Sequence, residues 1–329
     1  MILHEWARRH AQAEGGPNAL ARLLAGESDE QAARATGLPR AAVAGVRSYY
    51  DLLEPGPKVC DGTACHFAGS GSLATEMGLR GAASGVRCLG HCYAAPAFLS
   101  GGRVFARPAG QALESWVAGW GEGSEPHEDL APLPRASMAD PSIVLRNLLP
   151  GARRTALGEY ALPSGPEILA AIAGTGLRGR GGAAFPTAAK WEAARDTEAP
   201  ERFVVANGDE GDPGSYVDRL LLEEDPHAVL AGMLACARVI GAARGFVYVR
   251  GEYPRAQAVL GDAIGEARAA GILGSPFDVE VISGAGAYVC GEETALLCSI
   301  EGLRGESRPK PPYPTQRGLF GRPTVVQNV

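Results

Sequence analysis

The sequence lacks an excess of positive charge, an uninterrupted apolar run and an apolar N-terminal leader. Among its 329 residues, 31 Lys and Arg stand against 37 Asp and Glu, which gives a formal net charge of −6. Such a chain offers no basic surface for a nucleic-acid polymer. Its most apolar stretch, 228–249, is interrupted by Arg238 and Arg244, whereas a spanning helix needs about 20 mostly apolar residues. The first ten residues are charged and do not resemble a secretory leader, so we expect a cytoplasmic protein that does not insert into a membrane.

Disulfide bonds and collagen-like repeats are also not indicated. The seven cysteines are an odd number in a chain without a leader, which argues against a disulfide framework. Glycine is abundant: it makes up 45 of the 329 residues, about twice the ordinary share of about 7%. The glycines follow no three-residue period. The sequence therefore indicates a globular protein that uses glycine in particular loops.

The pattern along the chain predicts two folded parts joined by a linker. Residues 1–54 repeat apolar positions at helical spacing, and 55–120 contain short strands, a hairpin around Gly101-Gly102 and a closing helix. A linker rich in Gly, Glu and Pro is expected over 121–140. Strand and helix patterns alternate over 141–329, which predicts an α/β layered domain. The predicted strands are 203–206, 245–249 and 277–282, and the predicted helices are 165–173, 226–240, 254–270 and 292–301.

Four cysteines form two close pairs in the first part, Cys60-x4-Cys65 and Cys88-x3-Cys92. Thiolates at such spacings bind iron–sulfur clusters or zinc. Structural zinc usually takes tighter C-x2-C pairs, whereas each pair can serve one iron of a two-iron cluster. We therefore favour a [2Fe–2S] cluster over zinc and over four unrelated buried cysteines. His66 and His91 adjoin the pairs and are interpreted as neighbours rather than ligands.

The second part contains a glycine-rich segment. A G-x-G-x-x-G pattern spans 174–179, but the preceding residues 165–173 have helical periodicity, so we reject a standard dinucleotide-binding strand–turn–helix. The glycines continue to Gly182, with Arg180 and Lys190 close by. Consecutive small residues expose consecutive N–H groups, a nest suited to phosphate. A tight structural turn is the alternative for a single loop of this kind.

Two further loops, 207–216 and 283–294, follow predicted strands and are rich in glycine and acidic residues. Ligands of open α/β sheets bind outside the carboxyl ends of the strands, which is where both loops fall. Acidic side chains there can accept hydrogen bonds from sugar hydroxyls while a glycine nest holds phosphate. That combination suits a flavin or nicotinamide nucleotide. A proline-rich run, 308–314, would hold Lys310 and Tyr313 at the rim of such a site.

The cysteine segments resemble a known family. Cys60-Asp-Gly-Thr-Ala-Cys65 and Cys88-Leu-Gly-His-Cys92-Tyr-Ala-Ala-Pro96 are similar to the thioredoxin-like [2Fe–2S] ferredoxins, which include the small iron–sulfur subunit of respiratory NADH dehydrogenases. The helical lead-in before them also resembles that subunit. The resemblance implies that Cys60, Cys65, Cys88 and Cys92 ligate the cluster, although the gap between the pairs is shorter here than is usual in the family.

The second part resembles the NADH- and FMN-binding flavoprotein subunit of the complex I family, a module shared with NAD-dependent hydrogenases and formate dehydrogenases. The likeness rests on Gly179-Arg-Gly-Gly-Ala-Ala-Phe-Pro-Thr, Asn207-Gly-Asp-Glu, Gly286-Ala-Tyr-Val-Cys-Gly-Glu-Glu-Thr and Arg308-Pro-Lys-Pro-Pro. It implies an α/β FMN/NADH-binding domain with Rossmann-like layers. It also implies an oxidoreductase that passes a hydride from NADH to FMN and single electrons to iron–sulfur clusters. The expected partners are NADH and other iron–sulfur subunits of a multi-subunit dehydrogenase.

The resemblance assigns roles residue by residue. Residues expected to hold FMN around its phosphate are Gly179, Arg180, Gly181, Gly182, Lys190 and Asn328. Residues expected near the ribityl chain and the flavin ring are Asn207, Asp209, Glu210 and Gly291. Glu292 and Glu293 are the catalytic candidates, near the isoalloxazine and nicotinamide. Phe185 would stack on adenine, and Lys310 and Tyr313 would line the dinucleotide path. Asp212 stands where the family often has a Glu that reaches NADH.

Several positions depart from the family pattern. Ala184 and Ala188 replace glycines, Ala193 stands in place of an aromatic residue and Gln327 in place of an Asn. The sequence also stops before the ubiquitin-like domain and the C-x2-C-x2-C [4Fe–4S] domain of the family. We therefore expect a fragment, a truncated product or half of a split pair. The alternative function is a non-catalytic iron–sulfur scaffold or assembly subunit with a degenerate flavin site.

Overall fold

The computed structural model describes residues 18–78, 85–108, 110–121, 143–149 and 151–329. The first 17 residues and nearly all of the predicted linker lie outside the described residues. Within the described ranges, no helix is both long and apolar enough to cross a membrane.

The chain begins its described part with three short helices: α1, Ala19–Leu24; α2, Asp29–Thr36; and α3, Arg40–Arg47. Ser28 and Gln31 form a capping box that starts α2, and Gly37 ends it in a left-handed conformation at φ +71°. Pro39 precedes α3 and prevents α2 from continuing. The predicted helical lead-in is confirmed for the described residues.

The cysteine-bearing part follows as a small antiparallel sheet with helices. Its strands are β1, Lys58–Val59; β2, Ala97–Ser100; and β3, Arg103–Ala106, in the order β1-β2-β3. Its helices are α4, Thr63–Phe67; α5, Ser70–Glu76; and α6, Leu113–Gly121. The predicted hairpin is confirmed, since Phe98 pairs with Phe105 across the Gly101-Gly102 turn. Both rings pack in a core with Trp116, so the closing helix covers one face of the sheet.

The remaining residues form a four-stranded parallel sheet with its crossover helices. The strands are β4, Phe203–Gly208; β5, Arg244–Val249; β6, Asp278–Ser283; and β7, Thr324–Asn328. The helices are α7, Gly165–Thr175; α8, Thr187–Asp196; α9, Val217–Glu224; α10, Pro226–Ile240; α11, Pro254–Ala269; α12, Glu293–Ile300; and α13, Pro314–Arg317. The sheet order is β6-β5-β4-β7. The α/β class and the three predicted strands are confirmed.

Helices cover both faces of the parallel sheet. On one face, α7, α10 and α11 pack against alternate residues such as Val204 and Val247. On the other face, Val205 and Phe246 meet α12 together with α1, α2 and α3. The N-terminal helices therefore complete the second layer of the parallel sheet, as all-parallel sheets require cover on both faces.

At the carboxyl edge of the sheet, the strand order produces the kind of switch point at which open α/β sheets form a ligand crevice. The chain passes from β4 to β5 and β6 in one direction, and β7 is added on the other side of β4. The neighbouring strands β4 and β7 are thus where the winding direction reverses. Loops leaving such a point diverge and leave room for a ligand.

Candidate functional site

The crevice brings together segments that are far apart in the sequence. Asn207 on β4 lies in register with Asn328 on β7. Its side-chain Nδ2 donates to the carbonyl of Gly291 at 2.9 Å, and its Oδ1 accepts from the backbone N of Asp209 at 3.0 Å. One side chain therefore ties two of the predicted loops, 207–216 and 283–294, to the end of the sheet.

The glycine-rich segment lies exposed immediately before α8. The backbone N of Gly179 donates to the carbonyl of Phe185 at 2.9 Å, which closes the loop, and Gly182 adopts φ +96°. Ala184, where the family has glycine, also adopts a left-handed φ of 50°, a conformation that costs a non-glycine residue free energy. The loop leads into the N-terminus of a ten-residue helix, an arrangement suited to phosphate.

Two lysines and two glutamates form a charged network beside the crevice. Lys190 Nζ donates to the carbonyl of Val326 on β7 at 3.0 Å and lies 3.6 Å from Glu293. Lys310 Nζ donates to Glu292 at 2.9 Å and to Glu293 at 2.8 Å. The network links α8, α12 and the proline-rich run, so Lys190, Lys310 and both glutamates lie together. The roles that the resemblance assigns to them stay predictions.

Glu292 also has a structural role that the sequence did not reveal. Its side chain caps α12 by accepting from the backbone N atoms of Thr294 and Ala295 at 2.9 and 3.0 Å. Burial opposes its ionisation, but hydrogen bonds from Thr294 and Lys310 outweigh burial and lower its pKa. A catalytic role for Glu292 or Glu293 stays a prediction.

Asp209 is a buried acid with one unpaired oxygen. Its side chain is 7% exposed, and Oδ1 lies 3.6 Å from Arg250 Nε. Burial raises its pKa to about 8, although Arg250 opposes the rise. Within the described ranges, neither its Oδ2 nor the buried Oε1 of Gln327 has a hydrogen-bond partner. Because buried acceptors are almost always paired, these two oxygens fit a ligand that brings hydroxyl or amide donors, such as the ribityl chain and ring of FMN.

Two further carboxylates lie at the start of α9. Glu210 accepts from the Ser215 hydroxyl at 2.6 Å and the Val217 backbone N at 2.8 Å, so it organises the start of α9. Asp218 accepts from Asn328 Nδ2 at 3.0 Å. Burial and nearby Glu210 raise the pKa of Asp218 to about 7. The sequence indicated Glu210 and Asn328 but gave no signal for Asp218, which lies within an ordinary amphipathic helix.

Three aromatic rings on the predicted loops and the proline-rich run are exposed. Phe185 and Tyr313 are 51% and 53% exposed, and Tyr288 is 63% exposed. The Tyr288 hydroxyl donates to Asp212 Oδ1 at 2.6 Å, which raises the pKa of Tyr288. Flat faces left open to solvent beside a polar crevice are suited to stacking with an aromatic ligand. Tyr288 was missed because nothing in its local pattern separates it from a packing residue.

The four N-terminal cysteines lie in two thiol pairs. Cys88 Sγ and Cys92 Sγ are 3.4 Å apart. A hydrogen bond from Cys92 lowers the pKa of Cys88 to about 6, and one from Cys65 lowers the pKa of Cys60 to about 7. Among the described residues, no three His, Cys, Asp or Glu side chains are grouped as for a single metal ion.

Four thiols in two pairs are the donor set that a two-iron cluster takes from a protein. Each pair supplies two thiols, as many as one iron of such a cluster takes, and a [2Fe–2S] cluster at this site stays a prediction. Backbone N–H groups also approach the sulfurs, from Gly90 to Cys88 Sγ at 3.4 Å and from Gly214 to Cys92 Sγ at 3.2 Å. Such N–H groups stabilise thiolate and cluster sulfur charge. Cys236, Cys290 and Cys298 lie elsewhere as free buried thiols.

The raised pKa of Asp209 gives a testable pH dependence. The folded pKa of about 8 exceeds the unfolded value of about 4, so the folded state binds more protons between these values. The contribution of Asp209 to the stability of the flavin-free protein should therefore fall as the pH rises from about 4 to about 8. The Asp209 carboxyl group also interacts electrostatically with four neighbouring groups: Arg250, Glu252, Cys290 and Tyr248.

We expect Asp209→Asn to raise the melting temperature of the flavin-free protein more at pH 8 than at pH 5. The comparison uses the difference from wild type, because Asp218 contributes in the same direction. Asp278→Asn serves as control, since Asp278 forms a half-exposed ion pair with Arg268 on the far edge of the sheet. If the difference in melting temperature between Asp209→Asn and wild type does not change with pH, the raised pKa of Asp209 is contradicted.

Comparison with known proteins supports the flavin-domain interpretation. Residues 172–329 match the family described as the Nuo51 FMN-binding domain. The chain is 50% identical over 179 residues to a subunit of the NADH-quinone oxidoreductase of Aquifex aeolicus, which covers 52% of this chain and 42% of that protein. It is 43% identical over 184 residues to the alpha subunit of the NAD-reducing hydrogenase HoxS of Cupriavidus necator, covering 54% of this chain and 31% of that protein. The chain thus spans less than half the length of these relatives.

A solved structure extends the likeness to the N-terminal part. The fold matches a chain of an NAD+-reducing [NiFe]-hydrogenase in its air-oxidised state with a TM-score of 0.79 and 31% identity, over 97% of this chain and 60% of that chain. The shared architecture therefore includes the cysteine-bearing sheet as well as the parallel one. The resemblance of the second part to the flavoprotein subunit of the complex I family is confirmed over residues 172–329.

Proposed function

We propose that this chain is an NADH dehydrogenase module, which takes electrons from NADH at a flavin and passes them on to iron–sulfur centres. The observation that carries the proposal is the crevice at the β4–β7 switch point. There the predicted loops meet, and Asp209 Oδ2 and Gln327 Oε1 lie buried without partners among the described residues. The relatives that match this part are named as subunits of an NADH-quinone oxidoreductase and an NAD-reducing hydrogenase, which supports the same chemistry here.

The residues of the chain would bind and orient the cofactor. FMN supplies the conversion of a hydride into single electrons when it is bound. The N–H groups of 179–182 and the Lys190 ammonium would hold its phosphate, with Arg180 and Asn328 completing the pocket. Asn207, Asp209 and Glu210 would face the ribityl chain and ring, and Gly291 would allow the ring to approach the backbone.

Other side chains would bind NADH. Phe185 would stack on adenine, and Lys310, Tyr313 and Asp212 would line the path of the dinucleotide. Glu292 and Glu293 would face the nicotinamide at the edge of the crevice, where their pairing with Lys310 fixes their positions.

The cysteine pairs would hold a [2Fe–2S] cluster, with Cys60 and Cys65 on one iron and Cys88 and Cys92 on the other. Seven free thiols suit a reducing compartment, so we place the protein in the cytoplasm. We also propose that it works with other iron–sulfur subunits, which would determine the final electron acceptor.

Anaerobic purification followed by a visible spectrum and NADH addition tests the proposal. We expect a flavin band that bleaches promptly with NADH, and iron and acid-labile sulfide close to two of each per chain, as a two-iron cluster requires. Failure to bind FMN after reconstitution would overturn the proposed enzymatic function and favour a non-catalytic iron–sulfur scaffold. The left-handed conformation of Ala184 in the glycine-rich loop is the observation that motivates this alternative. A colourless protein with zinc bound at the four N-terminal cysteines would overturn the assignment of a [2Fe–2S] cluster to them.

The proposed role of Phe185 predicts a selective effect on NADH binding. Removing one aromatic stacking partner should raise the KM for NADH about two- to tenfold in Phe185→Ala, while kcat changes little. Phe67→Ala is a matched control because Phe67 is an exposed aromatic residue on α4, in the cysteine-bearing part. A lower kcat with unchanged KM would be incompatible with a stacking role.

A further inference from the structure

Arg250 lies just beyond the carboxyl end of β5 and is 3% exposed. Its guanidinium contacts both the loop that carries Cys88 and the loop that follows β4. The acceptors are the carbonyls of Cys88 at 2.8 Å, Arg87 at 2.8 Å and Glu210 at 2.7 Å, together with Glu252 Oε1 at 2.9 Å. Asp209 Oδ1 is 3.6 Å away. One buried cation therefore bridges the two candidate cofactor sites.

The backbone that Arg250 holds is strained. Cys88 adopts φ +61°, a left-handed conformation that is unfavourable for a residue with a side chain and persists only when its surroundings enforce it. Arg250 donates to the carbonyl of this residue and to the carbonyl before it. A guanidinium offers five donors in a rigid plane, so it can hold several carbonyls at once in a way that a lysine cannot.

Other contacts strengthen the same junction. Arg219 Nη1 donates to the Gly90 carbonyl at 2.6 Å, while its Nε donates to Glu223 at 2.8 Å. Gly90 lies so close to Tyr253 that an added Cβ would be 2.7 Å from the ring. Gly214, in the loop after β4, donates its N–H to Cys92 Sγ at 3.2 Å. The loop that carries Cys88 and Cys92 (the cysteine loop) is therefore fixed on the loop that follows β4, residues 209–216 (the flavin-side loop), by contacts from three separate elements.

We propose that Arg250 is a positioning residue shared by both cofactor sites, which holds the Cys88 loop in register with Asp209 and so affects both the cluster potential and the affinity for FMN. The cofactor part of this inference rests on the proposed function. A buried positive charge beside the cysteine loop favours the reduced cluster, which carries one more negative charge. The same charge opposes protonation of Asp209 and so favours the form of the carboxyl group that accepts a flavin hydroxyl.

The test compares Arg250→Gln and Arg250→Lys in the full chain with both cofactors bound. We expect Arg250→Gln to lower the midpoint potential of the cluster, followed by EPR during redox titration, and to raise the FMN dissociation constant about tenfold or more. Arg250→Lys should restore part of both properties, since it keeps the charge but reaches fewer carbonyls. Arg244→Gln is the matched control: it removes the same charge from the other end of β5, about 20 Å away, and should change neither property.

A second measurement does not depend on the cofactors. In the metal-free and flavin-free protein, Arg250→Gln should speed alkylation of Cys88 and Cys92 about fivefold or more, because the loop is released, while alkylation of Cys236 stays unchanged. Unchanged alkylation would overturn the positioning role, and an unchanged cluster potential or an unchanged FMN affinity would overturn the shared role of Arg250. If the wild-type protein binds neither iron nor FMN, the proposed function fails, and the alkylation rates alone decide the role of Arg250.

Discussion

Replacing Cys60 or Cys92 with serine is expected to abolish the iron–sulfur signal of the protein while its FMN content stays unchanged. Each thiol is one of the two protein thiolates expected on its iron, and a serine hydroxyl is a harder and much less acidic donor that replaces a soft thiolate poorly. The flavin site should survive because Arg250 contacts the cysteine loop through backbone carbonyls, which the substitutions do not alter. EPR of the reduced protein and iron analysis report the cluster, and flavin fluorescence after denaturation reports FMN.

Cys236→Ala provides the control for this experiment. Cys236 is a buried thiol of α10 packed in the core of the parallel sheet, so its replacement should leave the cluster signal intact. Loss of both cofactors in Cys60→Ser or Cys92→Ser would show that the two sites do not form independently. Retention of the cluster in both variants would mean that these cysteines are not its ligands.

Lys190→Met is expected to weaken FMN binding about ten- to a hundredfold. The substitution keeps much of the length of the side chain but removes the ammonium, which donates to the Val326 carbonyl on β7 and lies 3.6 Å from Glu293 at the start of α12. A hydrogen bond to a charged group contributes roughly 1.5–3 kcal/mol, and the FMN phosphate would accept such a bond here. Quenching of FMN fluorescence on binding to the flavin-free protein measures the dissociation constant.

Arg195→Gln controls for the loss of one positive charge from α8. Arg195 lies five residues further along the helix, about 7.5 Å in rise, and pairs with Asp196 at the surface. Its replacement should leave FMN affinity within about twofold of wild type, as expected for an exposed ion pair. Equal losses in the two variants would point to a general effect of charge rather than a contact between Lys190 and phosphate.

Helices and strands with clear start and stop residues could be located from the sequence. The helix 226–240 is confirmed at both ends, because Pro226 suits a first turn and Gly241 ends the helix at φ +70°. Strand β7 was missed, since Thr324–Asn328 is a short apolar run after a proline-rich segment with no alternation to mark it. The thioredoxin-like assignment of the cysteine-bearing part and the division into domains stay predictions.

The residues of the candidate site also fall into those that the sequence identified and those that it did not. Cysteine pairs and glycine loops are recognisable because the groups that act together are neighbours in the chain. Arg219 and Arg250 were missed, since each acts on residues more than a hundred positions away. The position of Arg250 directly after a β-strand was the one available signal, because side chains at the carboxyl ends of parallel strands tend to reach the ligand crevice.

The sequence by itself determined the α/β class, the two thiol pairs and the loops that suit phosphate and sugar, because these depend on spacing and residue type. Only the tertiary structure decided that the N-terminal helices cover the second face of the parallel sheet, that Glu292 caps a helix and that buried arginines join the cysteine loop to the flavin-side loop. These features arise from contacts between distant segments. Burial at those contacts makes each charge and each unpaired oxygen costly, so the folded arrangement, rather than the local pattern, determines which groups meet.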